Sequence, residues 1–257
     1  MRRARLRIGN VLGVELSLHA SWVLVFGLVV WVTATGFGEI YPDVAAAVRV
    51  AMGVVTAAVF FVCLTVHELA HAVTARRFGI RVRGITLFLF GGVAEIEGEV
   101  PTPSREFAVA LVGPAVSLAL GGAFGLLTLW AARVPVLEGV AGTLALVNLG
   151  VALFNLVPGL PLDGGRLLRA GLWRLTGSYT AATRIASAGG IVVAVGLVVL
   201  GISIAVFAGE LAGLWYVPMG VFLLVLARSA GRRPAPSQNQ GALAWGDREG
   251  QAAQSGP

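Results

Sequence analysis

His67-Glu68-Leu69-Ala70-His71 places two imidazoles one helical turn apart with a carboxylate beside the first of them. On a helix, residues four apart share a face, so His67 and His71 can take two corners of a tetrahedral zinc site. Glu68 leaves that face at a different angle and is placed to accept a proton from a water held by the metal, the role this spacing has in zinc proteases. A chance pentapeptide with two merely buried histidines is the bland alternative. It is disfavoured because ionisable groups within an apolar span are costly and mark function by default. Cys63 lies one turn earlier on the same face, where a lone cysteine among apolar neighbours reads as a small core residue.

The elements that must hold this site are apolar. Of 257 residues, 57% are hydrophobic and 12% charged, with a mean hydropathy of +0.85, which indicates a polytopic membrane protein. All 19 basic residues are arginines and the net charge is +6. They cluster at the ends of apolar runs, as membrane anchoring requires, so the basic balance gives no support to nucleic-acid binding. The single cysteine excludes an internal disulfide.

Six spans are expected. Arginines precede a mixed segment from Ile8 to Ser17, and the first span covers about Leu18 to Phe37, too long for a signal-peptide core. His19, at its start, is an interfacial or interhelical hydrogen-bonding residue, with a ligand role as a secondary candidate. The second span, about Val44 to Phe78, carries the His-Glu pair and ends at Arg76-Arg77, about 14 Å beyond His67 at 1.5 Å per residue. Ile80 to Val100 alternates at both ends around Gly91-Gly92, which predicts a β-hairpin folded there, with Arg81 and Arg83 facing Glu95, Glu97 and Glu99. Its apolar middle suggests a re-entrant or membrane-associated element beside the site. The third span runs from about Arg105 to Ala132, with Gly113-Pro114 and small residues such as Ser117 for close packing.

The fourth span begins near Gly139 and is broken at Asn155-Leu-Val-Pro-Gly-Leu-Pro-Leu-Asp163-Gly-Gly, where two prolines three apart force unwinding. Asp163 can cap a restarting helix, Gly164 to Trp173. An aspartate in an unwound intramembrane segment is also the third ligand that two histidines lack. Spans at about Ile185 to Phe207 and Leu211 to Ala227 complete an all-α polytopic membrane protein. Its domain is expected to cover residues 1–230, followed by a disordered cytoplasmic tail over residues 231–257. The arginine distribution places both termini in the cytoplasm of what its composition suggests is a bacterial cell membrane.

Together, His67-Glu68-Leu69-Ala70-His71, Phe90-Gly91-Gly92 with its acidic sequel, Gly113-Pro114 and the Asn155 to Gly165 motif resemble the site-2 protease family of intramembrane zinc metalloproteases, in the same order over about Arg7 to Arg174. The resemblance is to its compact group, without an inserted PDZ domain or a C-terminal CBS pair. It implies one zinc held by His67, His71 and Asp163, with Glu68 as general base, and Asn155 holding the substrate or its oxyanion. The implied activity is cleavage of a single-span membrane protein within or beside its transmembrane segment, by attack of zinc-bound water. The edge strand around Phe90, Gly91 and Gly92 would clamp the substrate by β-augmentation. The lipid bilayer is the implied surrounding partner and a regulatory membrane protein a further candidate. Two rivals remain: a transporter with an ion site at Asp163, which explains neither Glu68 nor the hairpin, and a catalytically dead membrane scaffold.

Overall fold

The computed structural model of the protein describes residues 5–88, 91–97, 100–209 and 211–232. Two short strands open the chain, β1 (Arg5–Val11) and β2 (Val14–His19). Two long helices follow, α1 (Trp22–Ile40) and α2 (Ala46–Arg77). A second hairpin, β3 (Arg81–Phe88) and β4 (Gly91–Glu97), then precedes α3 (Pro103–Trp130) and α4 (Pro135–Asn155). The chain ends in α5 (Asp163–Thr176), α6 (Tyr179–Ser203) and α7 (Tyr216–Gly231). Among the described residues, six helical segments are long and apolar enough to cross a membrane, and α5 is not one of them. At 1.5 Å per residue α2 is about 48 Å long, beyond the ~30 Å hydrocarbon layer. Its site-bearing end can therefore project from or tilt within the bilayer. Apolar side chains such as Leu126, Leu129 and Phe207 stand exposed around the bundle, as lipid contact demands.

The strands form one four-stranded sheet in the order β1-β2-β3-β4, with β2 parallel to β3 and the other two pairs antiparallel. The first hairpin is absent from the sequence expectation, which has only a mixed segment there. The period-two pattern of Val14, Leu16 and Leu18 was its available signal. Because Leu18 and His19 belong to β2, the first span starts later than expected, at Trp22. Val14, Ile85 and Leu87 pack on Ala72 of α2 and fasten the sheet beside the second histidine of the motif. Arg76 reaches from the end of α2 to the β1–β2 turn, its Nη1 donating to the Leu12 carbonyl at 2.6 Å.

The second hairpin is present but does not fold at Gly91-Gly92. Phe88 pairs with Gly91 and Leu87 with Gly92, so both glycines open β4, and residues 89 and 90 lie outside the described residues. Arg81 and Glu97 are in backbone register, whereas an irregularity between Val82 and Gly84 takes Arg83 out of cross-strand register. Thr102 caps α3, accepting from the Arg105 amide, and Pro103 takes the first turn, where its missing N–H is harmless. Between Asn155 and Asp163 the chain leaves helical geometry around Pro158 and Pro161, and the Leu160 N–H donates to the Ala186 carbonyl of α6 at 2.9 Å. The segment is thereby anchored on the neighbouring helix. The expected tail lies, from residue 233 onward, outside the described residues.

Candidate metal centre

Two helices bring their side chains to one point. His67 and His71 project from α2, and Asp163, the first residue of α5, approaches from the far side of the broken segment. Leu162 occupies the N-cap position, so Asp163 does not act as the cap that its position in the sequence allowed. Its Oδ2 lies 3.3 Å from His67 Nε2 and 3.1 Å from His71 Nε2, and the two Nε2 atoms are 3.2 Å apart. All three residues are buried, with His67 2%, His71 4% and Asp163 8% exposed. They are the metal-capable His/Cys/Asp/Glu group found among the described residues.

The spacing fits a tetrahedral ion. With bonds of about 2.0–2.2 Å, two ligand atoms of a tetrahedral zinc site stand roughly 3.3 Å apart, close to all three separations here. Proton positions agree. His71 Nδ1–H donates to the Val109 carbonyl at 2.6 Å, which leaves the Nε2 lone pair pointing inward. His67 Nδ1 lies 2.8 Å from Ser117 Oγ, fixing the second ring. A lone pair, a second imidazole nitrogen and a carboxylate oxygen thus face one another, and a shared cation satisfies all three.

Both orienting groups come from α3, which the sequence reading used for close packing and for the Gly113-Pro114 motif but not as a source of partners for the histidines. Ser117 was read as a small spacer, and Val109 gave no signal because its carbonyl, not its side chain, does the work. Gly113 lies between them. A Cβ at Gly113 would stand 2.7 Å from His67 Nε2 and closer still to His71 Nε2, so only glycine leaves the ligand atoms their space. Arg169 of α5 binds Glu106 of α3 through Nε at 2.8 Å and also through Nη2, and its guanidinium lies 4.9 Å from the Tyr179 ring centroid. This pair, with its carboxylate buried and its guanidinium partly so, ties the helix carrying Asp163 to the helix that orients both histidines.

Glu68, His71, Asp163 and Asn155 share the wall of a cavity of about 700 Å³ whose other lining is largely apolar, from Leu28 and Phe61 to Phe222 and Leu223. β4 passes directly over Glu68, and a Cβ at Gly92 would stand 2.5 Å from Glu68 Cγ. Asn155 ends α4, and its Nδ2 donates to the Val151 carbonyl at 2.9 Å. Gly91 begins β4, and Phe90 lies outside the described residues. His19 closes β2 with its Nδ1 2.8 Å from Ser21 Oγ and takes no part in the cluster.

An intramembrane helical bundle with a His-His-Asp centre on a broken span defines the class. The sequence profile of peptidase family M50 matches residues 55–142 and 130–200, and the chain belongs to that family, the site-2 proteases. Rip3 of Mycobacterium tuberculosis is 41% identical over 239 residues, covering 92% of this chain and 61% of Rip3. The protein sll0528 of Synechocystis is 37% identical over 236 residues, covering 88% of this chain and 60% of that protein. The chain therefore spans about three-fifths of the length of these relatives. Its fold is similar to the solved site-2 protease of Methanocaldococcus jannaschii, with a TM-score of 0.58 and 25% identity over 91% of this chain and 98% of that one.

Proposed function

We propose that this protein is an intramembrane zinc metalloprotease that cuts a single-span, membrane-anchored protein within or beside its transmembrane segment. The observation that carries the reading is the convergence of His67 Nε2, His71 Nε2 and Asp163 Oδ2 at 3.1–3.3 Å in the wall of the cavity that also holds Glu68. One zinc per chain would be held by these three residues, and it would lower the pKa of a bound water to about 7 and polarise a carbonyl. Glu68 takes the proton of the attacking water and delivers it to the leaving amine. Asn155 has a second amide N–H and a carbonyl oxygen beyond its bond to Val151, and these are available to a substrate backbone.

The largely apolar lining of the cavity suits an apolar peptide. A transmembrane helix hides its amides in internal bonds, so the substrate must be drawn out locally before attack. β4 is the last strand of the sheet, and its outer edge, beginning at Gly91 and Gly92, offers a backbone template beside Glu68. Phe90 is assigned to the same proposed clamp from the sequence motif alone. Arginine clusters at the β1–β2 end of the bundle support an orientation with both termini in the cytoplasm. No nucleic acid takes part. The bilayer supplies the substrate, and a second membrane protein is a fitting regulator.

The test compares wild type with Glu68→Gln in detergent, using a single-span peptide substrate with and without a zinc chelator. Wild type should cleave in a chelator-sensitive manner. Glu68→Gln should keep its zinc and lose about 10²–10⁴-fold in rate. Equal chelator-sensitive cleavage by both proteins would remove Glu68 from the chemistry, and zinc-dependent ion flux without proteolysis would replace the protease with a transporter.

A further inference from the structure

The cavity contains a cation that the chemistry so far leaves unused. Arg166 lies on α5 one turn after Asp163 and lines the cavity together with Glu68, His71 and Asn155. Among the described residues of the lining it is the only lysine or arginine. Its Nη1 stands 3.9 Å from Asp163 Oδ1, the oxygen turned away from the histidines. That separation is an ion pair without a hydrogen bond. A guanidinium has five N–H donors, and among the described residues none reaches a protein acceptor within hydrogen-bonding distance. Arg169, on the same helix, is the contrast: its donors are spent on Glu106 and its plane is stacked near Tyr179.

An arginine facing a largely apolar cavity is costly unless it meets a negative charge there. Asp163 is a partial answer, since its other oxygen serves the two histidines. The charge balance supplies the rest. Glu68 and Asp163 against Arg166 leave the pocket with one net negative charge. A divalent cation turns this into one net positive charge. A site so loaded complements a group that acquires one negative charge, as a peptide carbonyl does when water adds to it and the π electrons move onto oxygen.

We infer that Arg166 is a catalytic residue that donates hydrogen bonds to the scissile carbonyl oxygen as negative charge develops on it. The inference rests on the protease reading above. The guanidinium keeps its proton throughout, the water proton goes by way of Glu68 to the leaving nitrogen, and the C–N bond breaks as the carbonyl re-forms. Arginine suits the role because its charge survives burial and its planar fork spans two acceptors.

The probes are a phosphinic peptide with an apolar sequence, which presents an anionic tetrahedral centre, and neutral 1,10-phenanthroline. The proteins are wild type, Arg166→Gln and Arg166→Lys, each assayed for bound zinc. Arg166→Gln should hold one zinc per chain and release it to phenanthroline at the wild-type rate. Its affinity for the phosphinic peptide and its kcat should both fall about 100- to 1000-fold, with KM for the peptide substrate little changed and partial recovery in Arg166→Lys. Loss of zinc from Arg166→Gln at matched folding would make Arg166 a positioning residue for Asp163 and overturn the inference. Unchanged phosphinate affinity in Arg166→Gln alongside tight binding by wild type would overturn it as well. Failure of wild type itself to bind the phosphinate or cleave would instead refute the protease reading.

Discussion

Replacing Gly113 by alanine should separate the stability of the fold from the integrity of the metal centre. Gly113 lies inside α3, where alanine is favoured over glycine by about 1 kcal/mol. On secondary structure alone the variant should be as stable as wild type or slightly more so. The added methyl meets the ligand atoms: it would stand 2.7 Å from His67 Nε2 and 2.5 Å from His71 Cε1, and nearer again to His71 Nε2, whereas ordinary contact begins near 3.4 Å. His67 Nε2 must therefore retreat by about 0.7 Å, when ligand distances tolerate only about 0.2 Å. The rings cannot turn freely, because Ser117 and the Val109 carbonyl hold their Nδ1 atoms at 2.8 and 2.6 Å. Losing an orienting partner typically weakens a site 10- to 100-fold; a group intruding on two ligands should cost about 100-fold or more. Zinc retention after dialysis against graded chelator, with thermal unfolding in the same detergent, reads both quantities. A Gly113→Ala protein that binds zinc like wild type would refute the geometry, and one that fails to fold would refute the claim that the methyl acts on the metal centre alone.

Ser117→Ala should lower zinc affinity about 10- to 100-fold with little change in melting temperature, because it removes only the partner of His67 Nδ1; competition with a fluorescent zinc chelator measures it. Arg169→Met leaves Glu106, 1% exposed, without its cation, and should destabilise the folded protein by about 3–5 kcal/mol, whereas the paired change Glu106→Gln with Arg169→Met should recover much of that in thermal unfolding. Reporter fusions should place Arg83 and Gly231 in the cytoplasm and Glu39 and Glu138 outside; a reversed Arg83 would put the centre near the other leaflet and refute the proposed orientation.

Much of this protein was legible before folding because its strongest signals are local. Residues four apart on a helix share a face whatever surrounds them, so His67 and His71 were readable as a pair from spacing alone. Length and hydropathy likewise specify six spans, and two prolines three apart end a helix in any context. Asp163 stood one step further off, since its residue type and the broken span suggested a ligand but the cap alternative was equally local; only the turn at Pro158 and Pro161 and the Leu160–Ala186 bond decide that it faces the histidines. The orienting groups were out of reach. Val109 acts through a backbone carbonyl that every residue possesses, and Ser117 lies 50 residues from the ring it meets. Gly113 owes its importance to the space between helices. The hairpin shows the same division: alternation predicted two strands and the Arg81–Glu97 pairing, yet Gly91 and Gly92 open β4 instead of forming the turn, and β3 found a parallel partner in β2. Local periodicity determines what a segment becomes. Which segments meet, and at what register, depends on the packing of Val14, Ile85 and Leu87 onto Ala72 and of Glu106 onto Arg169, contacts between residues too distant in the chain for any local pattern to encode.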